Sequence, residues 1–443
     1  MNLGTLGLLI GLALLGAATL SAEPTAERSW KSTAGTEIKA TALSLEAESV
    51  QFKTGEGRLL TVPLGKLAAD DQAFLRKHFG MKESAPAPAE KKAGPAAGSG
   101  VPLLEGGLAL SQGEKHGPIA VKGGSHYFAY LPKSLRQDRP APLLFVTRAG
   151  GGKVNVLQDY VEPAERLGWI IAVSQESKNG SGFPDQNHAH AKRCVEHLTE
   201  TLPIDEDRLY FTGGSGGGAM SWMNCAELRG AGAMPVVGYI PGSAPKSGHF
   251  YTIGGATDYN RYLTAAAAEK YKKDALHRFY PGGHGGCPKG HYADGMAWLE
   301  GRFLGEHETD YAEHRLDYEA AMLKWIGKLQ GSAPHKAYYW ADFLLGKDYE
   351  VSGENRRTLE ELHRELGSAE MNVRYAAGLA ELDEFSAKEF ASHGSGGGSL
   401  MNHSTSGIKR ASKRMAEKYA GVPEIEGVAK MLGEPTVGTG KKK

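Results

Sequence analysis

Cysteine is scarce in this chain. Three residues in 443, Cys194, Cys225 and Cys287, carry all of its thiols. No C-x-x-C pair exists, which excludes a zinc ribbon and a dithiol redox motif. At most one disulfide can form, and Cys225–Cys287 is one of three pairings open beside the fully reduced state. An excess of either charge is also missing: 51 Lys and Arg face 51 Asp and Glu, for a net charge of +0. That excludes a nucleic-acid partner and an acidic surface as the electrostatic basis of function. The one basic run, Lys441-Lys442-Lys443, reads as a solvated tail. Metal-ligand spacing is absent as well. His188 and His190 stand at i, i+2 and point apart, and no acidic or thiol partner joins them or His197 at ligand spacing, so the expected metal and cofactor content is none.

The chain nonetheless has a clear order. Met1 to Ala22 reads as a signal peptide, with an apolar centre at Leu6 to Leu15 and small residues before the cut. Its first residues lack Lys and Arg, and a retained anchor is the alternative. The expectation is secreted or periplasmic, with no stable membrane span after cleavage. Residues 27–80 alternate apolar and polar side chains in three runs with turns at Ala34-Gly35 and Gly55-Glu56-Gly57, a β-meander pattern. Leu67 to Leu75 closes it as a short helix. Trp30, Thr33 to Ala40, Val62 to Leu67 and Asp71 to Leu75 make this segment similar to the SLA-type homology domain, which implies a small Src-homology-3-like β-barrel without chemistry of its own. Residues 81–100, rich in Ala, Pro, Lys and Gly, read as a flexible linker.

From residue 101 strands and helices alternate. Leu143 to Val146, Trp169 to Val173, Leu209 to Thr212, Val236 to Ile240, Phe250 to Ile253 and Leu276 to Tyr280 read as buried strands. Helical crossovers between such strands predict a mainly parallel sheet covered on both faces. Between the Leu209 strand and a helix from Ala219 lies Gly213-Gly214-Ser215-Gly216-Gly217, a G-x-S-x-G match. Glycine is so common here, 60 residues, that chance gives about half a match, so context must carry the motif. The context is a strand that turns at once into a helix, which puts the Ser215 hydroxyl at the tip of a crowded turn.

Together with Tyr127 to Pro132, the Gly-rich loop Arg148-Ala149-Gly150-Gly151-Gly152, Gly254 to Asp258 and Tyr280 to Gly285, this stretch resembles the α/β-hydrolase superfamily, of the secreted esterase and polyester-depolymerase kind, over residues 101–328. The resemblance implies an α/β-hydrolase fold and the chain order Ser, acid, His. Ser215, Asp258 and His284 obey that order, each just after a strand end. The expected roles are nucleophile, orienting acid and general base. The N–H groups of Gly216 and of Ala149 or Gly150 are the expected oxyanion donors. Arg148 stands where many such loops begin with histidine, and is expected to contact a substrate carboxylate or phosphate. Asp274 and Asp294 are rivals for the acid but follow no strand in the right place.

Residues 329–443 turn helical, with runs at 336–345, 356–366, 370–390 and 407–419 and a break at His393 to Ser399. That region and 27–80 are the stretches left for a protein partner. The expected activity is cleavage of carboxylic esters, small or polysaccharide-linked, through a covalent acyl-enzyme, on an open site with no lid insertion. A serine peptidase on the same scaffold and a catalytically degenerate binding protein are the alternatives.

Overall fold

A computed structural model describes residues 24–33, 36–46, 49–55, 59–79, 103–351, 353–391 and 405–436. The expected signal peptide, the linker, the break at 393–399 and the basic tail lie outside the described residues. The chain divides into two units, Met1–Ala93 and Gly94–Lys443.

In the first unit β1 (Arg28–Lys31), β2 (Glu37–Glu46), β3 (Ser49–Thr54) and β4 (Leu59–Pro63) pair in chain order, all antiparallel. Helix α1 (Ala69–His78) follows. Trp30, Ala42, Val50, Phe52 and Leu75 form the core. The Trp30 indole N–H donates to the Ala40 carbonyl at 2.8 Å. Asp71 ties α1 to β1 by accepting from the Lys31 N–H at 2.7 Å and the Arg28 guanidinium at 2.9 Å. This is a meander with a helix; β1 and β4 do not pair as strands among the described residues, but the chain just beyond them does, with an antiparallel bridge between Ser32 and Leu67 and the Ala68 N–H donating to the Lys31 carbonyl at 2.7 Å.

The second unit is mixed α/β, built on an eight-stranded sheet. Its strands are β5 (Lys115–Val121), β6 (Ser125–Tyr130), β7 (Ala141–Arg148), β8 (Ile170–Ser174), β9 (Ile204–Gly214), β10 (Gly232–Val236), β11 (His249–Gly255) and β12 (Ala275–Tyr280). The order is β12-β11-β10-β9-β7-β8-β6-β5, parallel from β12 through β8 and antiparallel at the β6 and β5 edge. Strand residues divide between the faces with period two. On β7, Leu144 and Val146 enter one core while Leu143 and Phe145 enter the other. The Leu143 face is covered by α3 (Asp185–Thr201) and α4 (Gly216–Glu227). The other takes α2 (Val161–Leu167), α6 (Lys289–Glu306), α7 (Ala312–Ser332), α8 (Pro334–Leu345) and α9 (Gly353–Gly367).

The structure departs from the sequence reading at several points. The strand expected over Val236 to Ile240 is Gly232–Val236. The chain leaves the sheet at Val237, whose φ is 45° and whose N–H donates to the Ile253 carbonyl at 2.7 Å. The boundary expected at 328/329 falls inside α7. Tyr318, Met322 and Ile326 of α7 share one core with Trp340 and Leu344 of α8. The later helices belong to the same unit: α10 (Glu370–Phe385), α11 (Ser406–Lys418) and α12 (Ile425–Leu432) pack against α5 (Arg261–Glu269) and β12 through Leu379, Ile425, Tyr262 and Phe279. No disulfide forms; all three cysteines are free.

Candidate active site

Strands β7, β9, β11 and β12 end on one rim of the sheet. Arg148 ends β7, Ser215 follows β9, and Asp258 and His284 lie in the loops after β11 and β12. Ligands bind at such carboxyl ends in open α/β sheets.

Ser215 is the one residue between β9 and α4. Its φ of 59° and ψ of −121° form a conformation that residues with a Cβ rarely adopt. The turn closes because Gly213 and Gly217 lack side chains: a Cβ on either would stand 2.2 Å from the Thr147 carbonyl oxygen. Thr147 braces the helix start by donating its hydroxyl to the Gly217 carbonyl at 2.8 Å. The Ser215 N–H donates to the Val236 carbonyl at 2.9 Å.

The loops after β11 and β12 are stapled together. The Thr257 N–H donates to the Gly282 carbonyl at 2.9 Å, and the Tyr280 hydroxyl donates to the Gly283 carbonyl at 2.5 Å. Asp258 and His284 are thereby held side by side. His284 Nδ1–H donates to Asp258 Oδ1 at 2.9 Å. That tautomer leaves Nε2 as an acceptor, and Ser215 Oγ lies 2.7 Å from it. Asp258 is fully buried. Its Oδ1 also accepts from the Asn260 N–H at 3.1 Å, and Oδ2 has no partner among the described residues. The carboxylate so placed fixes the orientation of the ring and its Nδ1–H tautomer. The rival acids do not reach His284: Asp294 accepts from Lys336 at 3.4 Å, and Asp274 lies 3.7 Å from Arg302.

Ser215 and His284 open on a cavity of about 590 Å³, which Arg148, Ala149 and Gly150 also line. Both Ser215 and His284 are half-buried. The N–H groups of Ala149 and Gly150 make no hydrogen bond among the described residues. Gly216 opens α4, where helix N–H groups lack intrahelical partners. Gly216 packs under the Asn179 amide, whose Oδ1 would lie 1.9 Å from a Cβ there.

Two neighbours were not singled out in the sequence. Tyr259, directly after the acid, brings its hydroxyl to 2.8 Å from His284 Nε2 and stacks on the imidazole with centroids 4.3 Å apart. Its place beside Asp258 was the available signal. Asn179 comes from the loop after β8, docked by its N–H on the Ala149 carbonyl at 2.8 Å; no motif marks it. Cys287 also lines the cavity, but burial pushes its thiol up to about 12, which keeps it protonated. His188, His190 and His197 all lie on α3 and take separate partners, Asn224, Ser125 and Tyr127.

No family model and no curated protein matches the chain. Solved structures do. A thermostable esterase is 19% identical over 40% of this chain and 58% of its own, with a TM-score of 0.33. An esterase of Pyrobaculum calidifontis is 13% identical over 40% of this chain and 78% of its own, with a TM-score of 0.34. An arylesterase is 11% identical over 40% and 79%, with a TM-score of 0.32. The match to the first spans less than two thirds of that esterase.

Proposed function

We propose that the second unit is an α/β-hydrolase that cleaves carboxylic esters by nucleophilic catalysis at Ser215. The observation that carries this reading is the hydrogen-bond chain from Ser215 Oγ through His284 to the buried Asp258, 2.7 and 2.9 Å long. In it, His284 Nε2 takes the hydroxyl proton as Oγ attacks the ester carbonyl, and then passes that proton to the leaving alcohol. Asp258 holds the tautomer and stabilises the imidazolium. Water then attacks the acyl-enzyme with the same base. The N–H of Gly216 and one from Ala149 or Gly150 receive the oxyanion, and one such donor is worth about 3–4 kcal/mol in the transition state. The cavity that Ser215 and His284 line suits a bulky ester, such as an acyl group on a polysaccharide, and export through residues 1–22 would deliver the enzyme to it. Among the described residues no helix is long and apolar enough to cross a membrane.

The test is fluorophosphonate labelling of the purified chain beside Ser215→Ala and His284→Ala. Labelling that vanishes in both variants is expected. A well-folded chain that does not label would overturn the reading. Matched ester and amide substrates then separate esterase from peptidase, with the ester expected to turn over faster.

A further inference from the structure

Among the described residues, the buried and half-buried arginines of the second unit follow a rule with one exception: each guanidinium has a hydrogen-bond or ion-pair partner, Arg193 in the Ser125 hydroxyl and Arg374 in the Lys418 carbonyl. Arg139, Arg166, Arg208, Arg278, Arg302 and Arg315 are buried or half-buried, and each is ion-paired to a carboxylate. Arg261, also buried, donates to the carbonyls of Ala256, Leu432 and Glu434. Removing a guanidinium from water is costly without such partners. Arg148 is half-buried too, yet its guanidinium makes no hydrogen bond or ion pair among the described residues. Its position is not incidental. Arg148 is in register with Gly214, the residue before Ser215, across the β7–β9 pair. Its Nη1 would lie 3.9 Å from a Cβ on Gly214.

The cavity around it has the charge to match. Arg148 and Lys153 both line it. The carboxylate on the same wall, Asp159, is already engaged by Lys289 at 3.1 Å. A free, planar, five-donor cation at a pocket wall is the group that carboxylates recognise in bidentate fashion.

We propose that Arg148, with Lys153 at the rim, forms an anion subsite, and that the preferred substrates are esters carrying a free carboxylate. This rests on Ser215 being the nucleophile. The carboxylate can come from the acyl chain or from the leaving alcohol, and both would meet the same guanidinium chemistry.

The test compares charged and neutral esters of matched size on the full chain. Mono-p-nitrophenyl adipate against p-nitrophenyl hexanoate probes the acyl side. 4-Acetoxybenzoate against 4-acetoxybenzamide probes the leaving side. The wild-type chain is expected to favour the charged member of one pair in kcat/KM. In Arg148→Gln that charged-to-neutral ratio should fall roughly 10- to 100-fold, the range of hydrogen bonds to a charged group, mainly through KM. Arg148→Lys should recover part of it, because it returns the charge without the fork. A wild-type ratio near one in both pairs, or a ratio that Arg148→Gln leaves unchanged, overturns the subsite. Fluorophosphonate labelling of the same preparations separates the failures: labelled protein without charge preference loses the subsite alone, and unlabelled folded protein loses the hydrolase reading with it. A melting curve of each variant checks that it is folded.

Discussion

At the scale of residues, the competition at His284 Nε2 has a measurable consequence. A neutral imidazole protonated on Nδ1 has one lone pair on Nε2, and two hydroxyls lie within reach of it: Ser215 at 2.7 Å and Tyr259 at 2.8 Å. Burial, and then the Asp258 carboxylate, raise the Tyr259 pKa, so the phenol remains an O–H donor. Whenever it donates to Nε2, the serine proton has no acceptor. Tyr259→Phe keeps the stacked ring and removes the competitor. Its rate of fluorophosphonate inactivation should rise about 2- to 10-fold, within the worth of one neutral hydrogen bond. A slower rate would mean that the hydroxyl assists Ser215.

At the scale of elements, the decisive piece is the β9–α4 turn. Gly217 and Gly213 both face the Thr147 carbonyl at distances that exclude a Cβ. Gly217→Ala must push β7 and α4 apart. Overpacking of this kind typically costs about 1–3 kcal/mol. A lower urea midpoint with an unchanged slope, together with lost Ser215 labelling, is the expected result. This element was legible in the sequence because strand, glycine, serine and helix adjoin along the chain. Its helix begins at Gly216 rather than Ala219, since the glycines that disfavour a helix interior are there to meet distant neighbours: Gly216 meets Asn179, Gly217 meets Thr147 and Gly218 meets the Val236 carbonyl. Likewise, nothing local marks Val237 as the end of β10; its N–H still pairs with the Ile253 carbonyl of β11, and its φ of 45° then turns the chain out of the sheet.

At the scale of the whole molecule, each unit has an apolar core of its own. Residues 24–79 bury their apolar side chains among themselves. A chain of residues 94–443 should therefore fold and label at Ser215. One that stops at 328 should not, since it strips Trp340 and Leu344 from the core beneath the sheet and exposes apolar surface. Circular dichroism and labelling of the two truncations check this. Acid should unfold the second unit early. Burial lowers the pKa of His277 to about 3 and of His314 to about 4, from an ordinary 6.5, and lowers that of His249 as well. Each binds its proton more readily once unfolded, so stability held above pH 6.5 is lost as the pH falls toward those values. Denaturation midpoints from pH 7.5 to 4 should drop, and His277→Asn should flatten the slope.

What local physics decides was legible along the chain: buried strands with helical crossovers, a glycine-flanked serine at a strand-to-helix turn, and an acid and a histidine placed after later strands. Periodicity and steric crowding act over a few residues, so they can be read along the chain. The remainder came from contacts between distant parts of the fold. They brought the loops after β11 and β12 together so that Asp258 meets Nδ1 and Tyr259 meets Nε2, and they left Arg148 as the half-buried arginine without a partner among the described residues. Whether a charge is paired depends on what folding places within a few ångströms of it, and residues far apart in sequence supply those neighbours.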